Sequence, residues 1–164
     1  MPRPLLHLFA LAIGVPLVVE CVVLVTTGTA SRFFWLFQQA VPLLIVLWPI
    51  SLPIMIWICY SYSKAASEGR LHSRCLLWLA PLIVLPTAML VWGAVFEHPG
   101  GHGFLPWQLA VVHWTFFASI ALGVFAIVVN GDRRSFVASS TIMLLLFSFS
   151  CSFTAGSSVT GAWL

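Results

Sequence analysis

The stretch WQLAVVHWTFFASIALGVFAIVV, residues 107–129, decides the fold class. It contains no Asp, Glu, Lys or Arg, and as a helix rising about 1.5 Å per residue it covers the roughly 30 Å of hydrocarbon in a bilayer. Its apolar residues run on without the every-second-residue alternation of a barrel strand, so the spanning form is a helix. Four further stretches read the same way, at about 4–27, 33–60, 75–96 and 137–159. The expected class is therefore all-α, a polytopic membrane protein with five transmembrane helices. Residues 1–164 form one transmembrane helical domain with no room for a soluble one.

Composition agrees. The 164 residues are 61% hydrophobic and 7% charged, where a soluble domain has about 25% charged residues. The net charge of +3 arises from seven cations and four anions, too few for a basic stripe, so no nucleic-acid partner is expected. The second stretch is long enough to tilt or to protrude as an interfacial turn.

The connecting segments set the orientation. Arg3 precedes the first span, Lys64, Arg70 and Arg74 fall between the second and third, and Arg133 and Arg134 between the fourth and fifth. Arg32 alone falls on the other side, near Glu97, His98 and His102. Positive residues gather on the cytoplasmic side, which puts the N-terminus inside and the C-terminus outside, as in a bacterial inner membrane. Trp35, Trp107 and Trp163 lie toward outer ends, and Tyr60, Tyr62 and Trp78 toward inner ones, as an aromatic belt does. The first stretch is preceded by Arg3 and followed by the small residues Gly28-Thr29-Ala30, as in a signal peptide. Its apolar run exceeds the usual length and contains Glu20, so it reads as a retained helix.

The polar residues inside the bilayer carry the most information. Glu20 is seven residues before Thr27, about 10 Å below the outer boundary. Gln38 and Gln39 lie at a similar depth in the second span, His113 in the fourth, and Ser150, Cys151, Ser152 and Thr154 in the fifth; Thr87 and Met89 share the level in the third. An unpaired carboxylate at this depth is costly, so Glu20 either takes a donor, with His113 and the Gln amides as the first choices, or carries a proton. Pro42 leaves the carbonyl of Gln38 without its helical donor, and Pro16 does the same for Ala12. Pro49, Pro53, Pro81 and Pro86 predict irregular second and third spans. For Gln38, Gln39 and the fifth-span hydroxyls, the plainer reading is hydrogen-bonded glue between helices. For Glu20 a functional role outweighs it, and His113 stands between the two.

Small residues recur every fourth position, at Ser148, Ser152 and Gly156 in the fifth span and at Ser119 and Gly123 in the fourth. Such stripes bring backbones together, either within one bundle or at an oligomer interface. Lys64, Arg70, Arg74, Arg133 and Arg134 are the candidate cytoplasmic contacts. They touch anionic lipid or, at the 61–74 loop, a cytosolic protein.

Other chemistries fit less well. His98-Pro99-Gly100-Gly101 resembles the haem signature of small soluble b-type cytochromes over those four residues, without the soluble fold that holds the haem. Glu97, His98 and His102 are a weak candidate for a metal in an outer loop. A haem bridging His7 and His113 is disfavoured, because they stand roughly 15 Å apart along the membrane normal. Cys21 and Cys151 lie within spans, Cys59 and Cys75 flank the cytoplasmic loop, and no CxxC occurs, which speaks against thiol redox work. The five-span translocator-protein family has the right size, but its Trp/Pro-rich motifs do not occur here. No phosphate loop, metalloprotease motif or acyl-transfer triad is present, and no cofactor is expected.

The expectation is a non-enzymatic integral membrane subunit, oligomeric, serving as a sensor or anchor within a larger complex. The alternatives are a proton, ion or small-solute conduit using Glu20 and His113, and an electron-transfer or metal-binding protein using the outer histidines.

Overall fold

The computed structural model describes residues 3–67, 73–98, 103, 105–130 and 134–162. All regular structure among them is helical: α1 (Arg3–Thr27), α2 (Ala30–Val46), α3 (Trp48–Ser67), α4 (Ser73–Val95), α5 (Pro106–Val129) and α6 (Arg134–Thr160). Four helices, α1, α4, α5 and α6, are each long and apolar enough to cross a membrane. A fifth crossing is present if α2 and α3 together count as one.

The second expected span is thus not a single rod. Its two helices meet at an angle of 87°. The break has a local cause. Leu47 N–H donates back to Leu43 O at 3.2 Å, and Ile50 and Ser51 N–H restart the ladder on Leu47 O, both at 2.9 Å. Pro49 has no N–H to carry the ladder of α2 onward to Ile45 O, and its ring crowds the preceding turn, whereas Pro53 sits within α3. Proline does not act alike everywhere. Pro81 and Pro86 were expected to make the third span irregular, yet both sit inside the continuous helix α4. Pro86 is buried there, so neighbouring helices hold the backbone that the ring would otherwise release.

α6 is the hub. It packs against α4, α5, α3 and α2, whereas α1 packs mainly on α4 and touches α2 lightly. Two apolar clusters stack along it. One joins Leu24, Leu36, Ala40, Leu90, Val112 and Ala155, and the other joins Leu79, Leu82, Ala126, Phe136 and Val137. The bent pair follows α6 from cluster to cluster. Phe37 of α2 meets Phe147 edge-on, and further along Trp57 of α3 donates to Ser135 Oγ at 2.9 Å while Tyr62 lies against Phe136.

Close seams fix α6 to its neighbours. A Cβ added at Gly93 of α4 would stand 2.9 Å from Ala155 Cα, so only glycine allows the backbones this near. Ser158 Oγ donates to Gly93 O at 2.9 Å across the same seam. On the other side Gly123 of α5 faces the methyl of Thr141. The signal-peptide-like Gly28-Thr29 is a helix stop. Gly28 has φ 66°, Thr29 N–H donates to Leu24 O and Gly28 N–H to Val25 O, a left-handed cap that lets α2 begin at Ala30.

At the end of the bundle where α4 and α6 finish, Arg32 Nε lies 3.1 Å from Glu97 Oε2. Beside it Trp92 donates to Gln108 O at 3.0 Å, lies tilted against Phe96, and both rings meet Trp107 edge-on. Gln108 in turn accepts from Leu105 N–H through its side chain at 2.8 Å, closing the first turn of α5 after Pro106.

Candidate functional site

Glu20 lies two-thirds of the way along α1, on the side that meets α4. Its neighbours Val18, Val19 and Val22 are exposed, so the carboxyl occupies the edge of a seam and is half-buried. Its partner is Thr87, whose Oγ1 is 3.2 Å from Glu20 Oε1. The same Oγ1 is 2.8 Å from Val84 O, one turn back along α4. Sequence reasoning places Thr87 at the right depth but looks to His113 or a Gln amide for the donor. Depth follows from counting residues along a span, while lateral adjacency depends on which helix packs beside α1, and that information is not local.

The other polar residues of that level stand elsewhere. Gln38 and Gln39 are exposed on α2 and form no hydrogen bond with any described residue. His113 is exposed on α5, in a groove of about 540 Å³ between α5 and α6 that also includes Phe116, Phe149, Ser152, Gly156 and Ser157. Ser150 and Thr154 are buried in α6, where their hydroxyls bond the carbonyls of Leu146 and Ser150 one turn back, at 3.2 and 2.8 Å. α1 and α5 share no extensive interface, so Glu20 and His113 belong to different seams.

The small-residue stripes divide in the same way. Ser119, Gly123 and Ser148 are buried inside the bundle, and Ser119 bonds Thr115 O at 3.0 Å. Ser148 Oγ and Thr141 Oγ1 are buried without a hydrogen-bond partner among the described residues. Ser152 and Gly156 are half-buried on the wall of the His113 groove. Gly93, Ala155 and Ser158, which bring the backbones of α4 and α6 together, are not in the predicted stripes, although Ala155 lies next to one.

Just beyond the end of α4, Glu97 is engaged by Arg32, and His98 Nδ1 lies 2.8 Å from Phe96 O. His102 falls outside the described residues. Among the described residues no three His, Cys, Asp or Glu side chains gather as a metal site. Lys64 is exposed in the last turn of α3. Arg74 and Arg134 belong to the first turns of α4 and α6, and Arg70 and Arg133 lie outside the described residues.

The bundle thus offers one bonded carboxyl on the α1–α4 seam, two bare amides on α2 and a bare imidazole in the α5–α6 groove. No protein-family model, curated protein or solved structure matches the chain, so its chemistry is read from these side chains.

Proposed function

We propose that the chain is a non-enzymatic integral membrane subunit that acts as a sensor or anchor within a larger membrane assembly. Its five crossings count the bent α2–α3 pair as one, with the N-terminus cytoplasmic and the C-terminus outside, in a bacterial inner membrane. The positive residues of the connecting segments support that orientation. The path of the bent pair along α6, from Phe37–Phe147 to Tyr62–Phe136, supports the fifth crossing.

The observation that carries the assembly reading is the exposure of Gln38, Gln39 and His113 without a hydrogen bond to any described residue. Polar side chains on the hydrocarbon-facing side of a bundle are disfavoured until another chain supplies their partners. A second copy or another membrane subunit docking on α2 and α5 would do so. Lys64, with Arg70 and Arg74 beyond it in the sequence, is the handle for a cytosolic partner. A relay from Glu20 to His113 has less support, because their helices share no extensive seam.

The test is extraction in a mild detergent followed by a mass for the particle and identification of co-eluting chains. A particle heavier than the 18.0 kDa chain is expected. The double change Gln38→Leu with Gln39→Leu is expected to weaken the assembly roughly fivefold, since paired interhelical amides contribute about 1 kcal/mol in lipid. A native protein that elutes alone as a monomer overturns the reading.

A further inference from the structure

A threonine hydroxyl has one hydrogen, and Thr87 Oγ1 stands within bonding distance of two acceptors, Val84 O at 2.8 Å and Glu20 Oε1 at 3.2 Å. The shorter contact is the back-bond that threonine regularly makes to its own helix. With the hydrogen on Val84 O, an ionised Glu20 would face the Thr87 oxygen lone pairs. A Glu20 that carries its own hydrogen donates it to Thr87 Oγ1, and all three groups are satisfied.

The surroundings point the same way. α1 packs on α4 and, lightly, on α2. Between residues 77 and 95 α4 has no charged side chain, and Thr87 is its polar group at this level. On α2 the one charge, Arg32, is paired with Glu97, and the amides of Gln38 and Gln39 are exposed without a bond to Glu20. On α1 itself, Cys21 is exposed beside the carboxyl and His7 is roughly 20 Å away along the helix. Among the described residues no cation pairs with Glu20, and an ionised carboxyl without one is strongly disfavoured in hydrocarbon.

We propose that Glu20 is a proton-binding site on the lipid-facing α1–α4 seam, held as a neutral carboxylic acid that donates to Thr87, with Thr87 as its positioning residue. It is a store and not a path, since the groups that would relay the proton onward stand on other seams. It is independent of the assembly reading, which rests on α2 and α5.

A neutral acid open to the acyl chains has a distinctive reactivity toward carbodiimides. Its O–H adds across one C=N bond of the reagent, the carboxyl oxygen bonding to carbon and the proton passing to nitrogen. Acyl transfer from that oxygen to nitrogen then leaves a stable N-acylurea, with no oxidant or reductant involved. In the full chain reconstituted in phosphatidylcholine vesicles at neutral pH, dicyclohexylcarbodiimide, which partitions into the hydrocarbon, is expected to modify Glu20 in most chains. A water-soluble carbodiimide is expected to leave it unmodified, and Glu97 is expected to escape the lipophilic reagent. Absence of the lipophilic adduct at Glu20, or equal labelling by both reagents, overturns the proposal. Infrared spectra supply a readout that does not depend on reactivity. The carbonyl band of a protonated carboxyl is expected in the native protein, lost in Glu20→Gln, retained in Thr87→Ser and moved to higher frequency in Thr87→Val. A carboxylate band in place of the acid band, or an acid band that Thr87→Val leaves unmoved, overturns it.

Discussion

α1 and α6 are both long apolar helices, yet the more hydrophobic of the two is the less buried. The Ala10–Thr27 window of α1 has a mean hydropathy of 2.2 with 6% of its residues buried, while Ser135–Thr160 of α6 has 1.8 with 39% buried. In water the order would be reversed. In lipid the tails are as apolar as leucine, so hydropathy gives no reason for one helix to seek another. What draws helices together is close packing of small side chains and bonds between polar ones. α6 is rich in Ser, Thr, Ala and Gly, and α1 presents Leu8, Leu11, Val15, Val18, Val19, Val22 and Val25 to its surroundings. The serines that lower the hydropathy of α6 are what make it the hub.

That contrast is most directly broken by putting the same large side chain on each helix system. Gly93→Leu places atoms where Ala155 already stands, and it is expected to destabilise the bundle by about 3 kcal/mol or more. Gly14→Leu on α1, where nothing lies within 4 Å of the added Cβ, is expected to change stability by less than about 0.5 kcal/mol. Equilibrium unfolding in mixed micelles measures both. Equal losses would mean that α1 is packed as α6 is. A smaller effect sharpens the role of polar bonds. Ser158→Ala removes the donor to Gly93 O and is expected to cost about 1 kcal/mol in the same assay. A smaller loss again belongs to the partly exposed ion pair of Arg32 and Glu97. Arg32→Gln is expected to cost about 0.5 kcal/mol at low salt, and less as salt is added.

The same contrast marks how far the sequence could be read. Helix ends were legible to within a few residues for four of the spans, because charges, prolines and Gly28 punctuate an otherwise continuous apolar text. That Glu20 and Thr87 stand level with each other was legible too, since rise per residue converts position along each helix into relative height. The bend at Leu47 was only half legible. Pro42, Pro49 and Pro53 announce irregularity, but α4 carries Pro81 and Pro86 without a break, and the difference lies in the neighbours packed around each helix. Rotation about the helix axis was the least legible property. Gln38, Gln39 and His113 were expected at the height of Glu20, yet they are exposed and form no bond with it, on helices whose many apolar residues leave no sharp stripe to fix which way they turn. Pairing of Gly93 with Ala155 shows the same limit. Each is an ordinary small residue until the two backbones meet.

The hub follows the four helices that it packs against, and this bears on how the molecule is made. As the ribosome releases the spans in order, α1 through α5 enter the bilayer before the element that four of them pack on has been synthesised. Until α6 arrives, the faces it will cover are open to lipid or to whatever escorts a nascent membrane protein. Assembly of the bundle therefore waits on α6, and a chain cut short before residue 134 would insert without acquiring a centre.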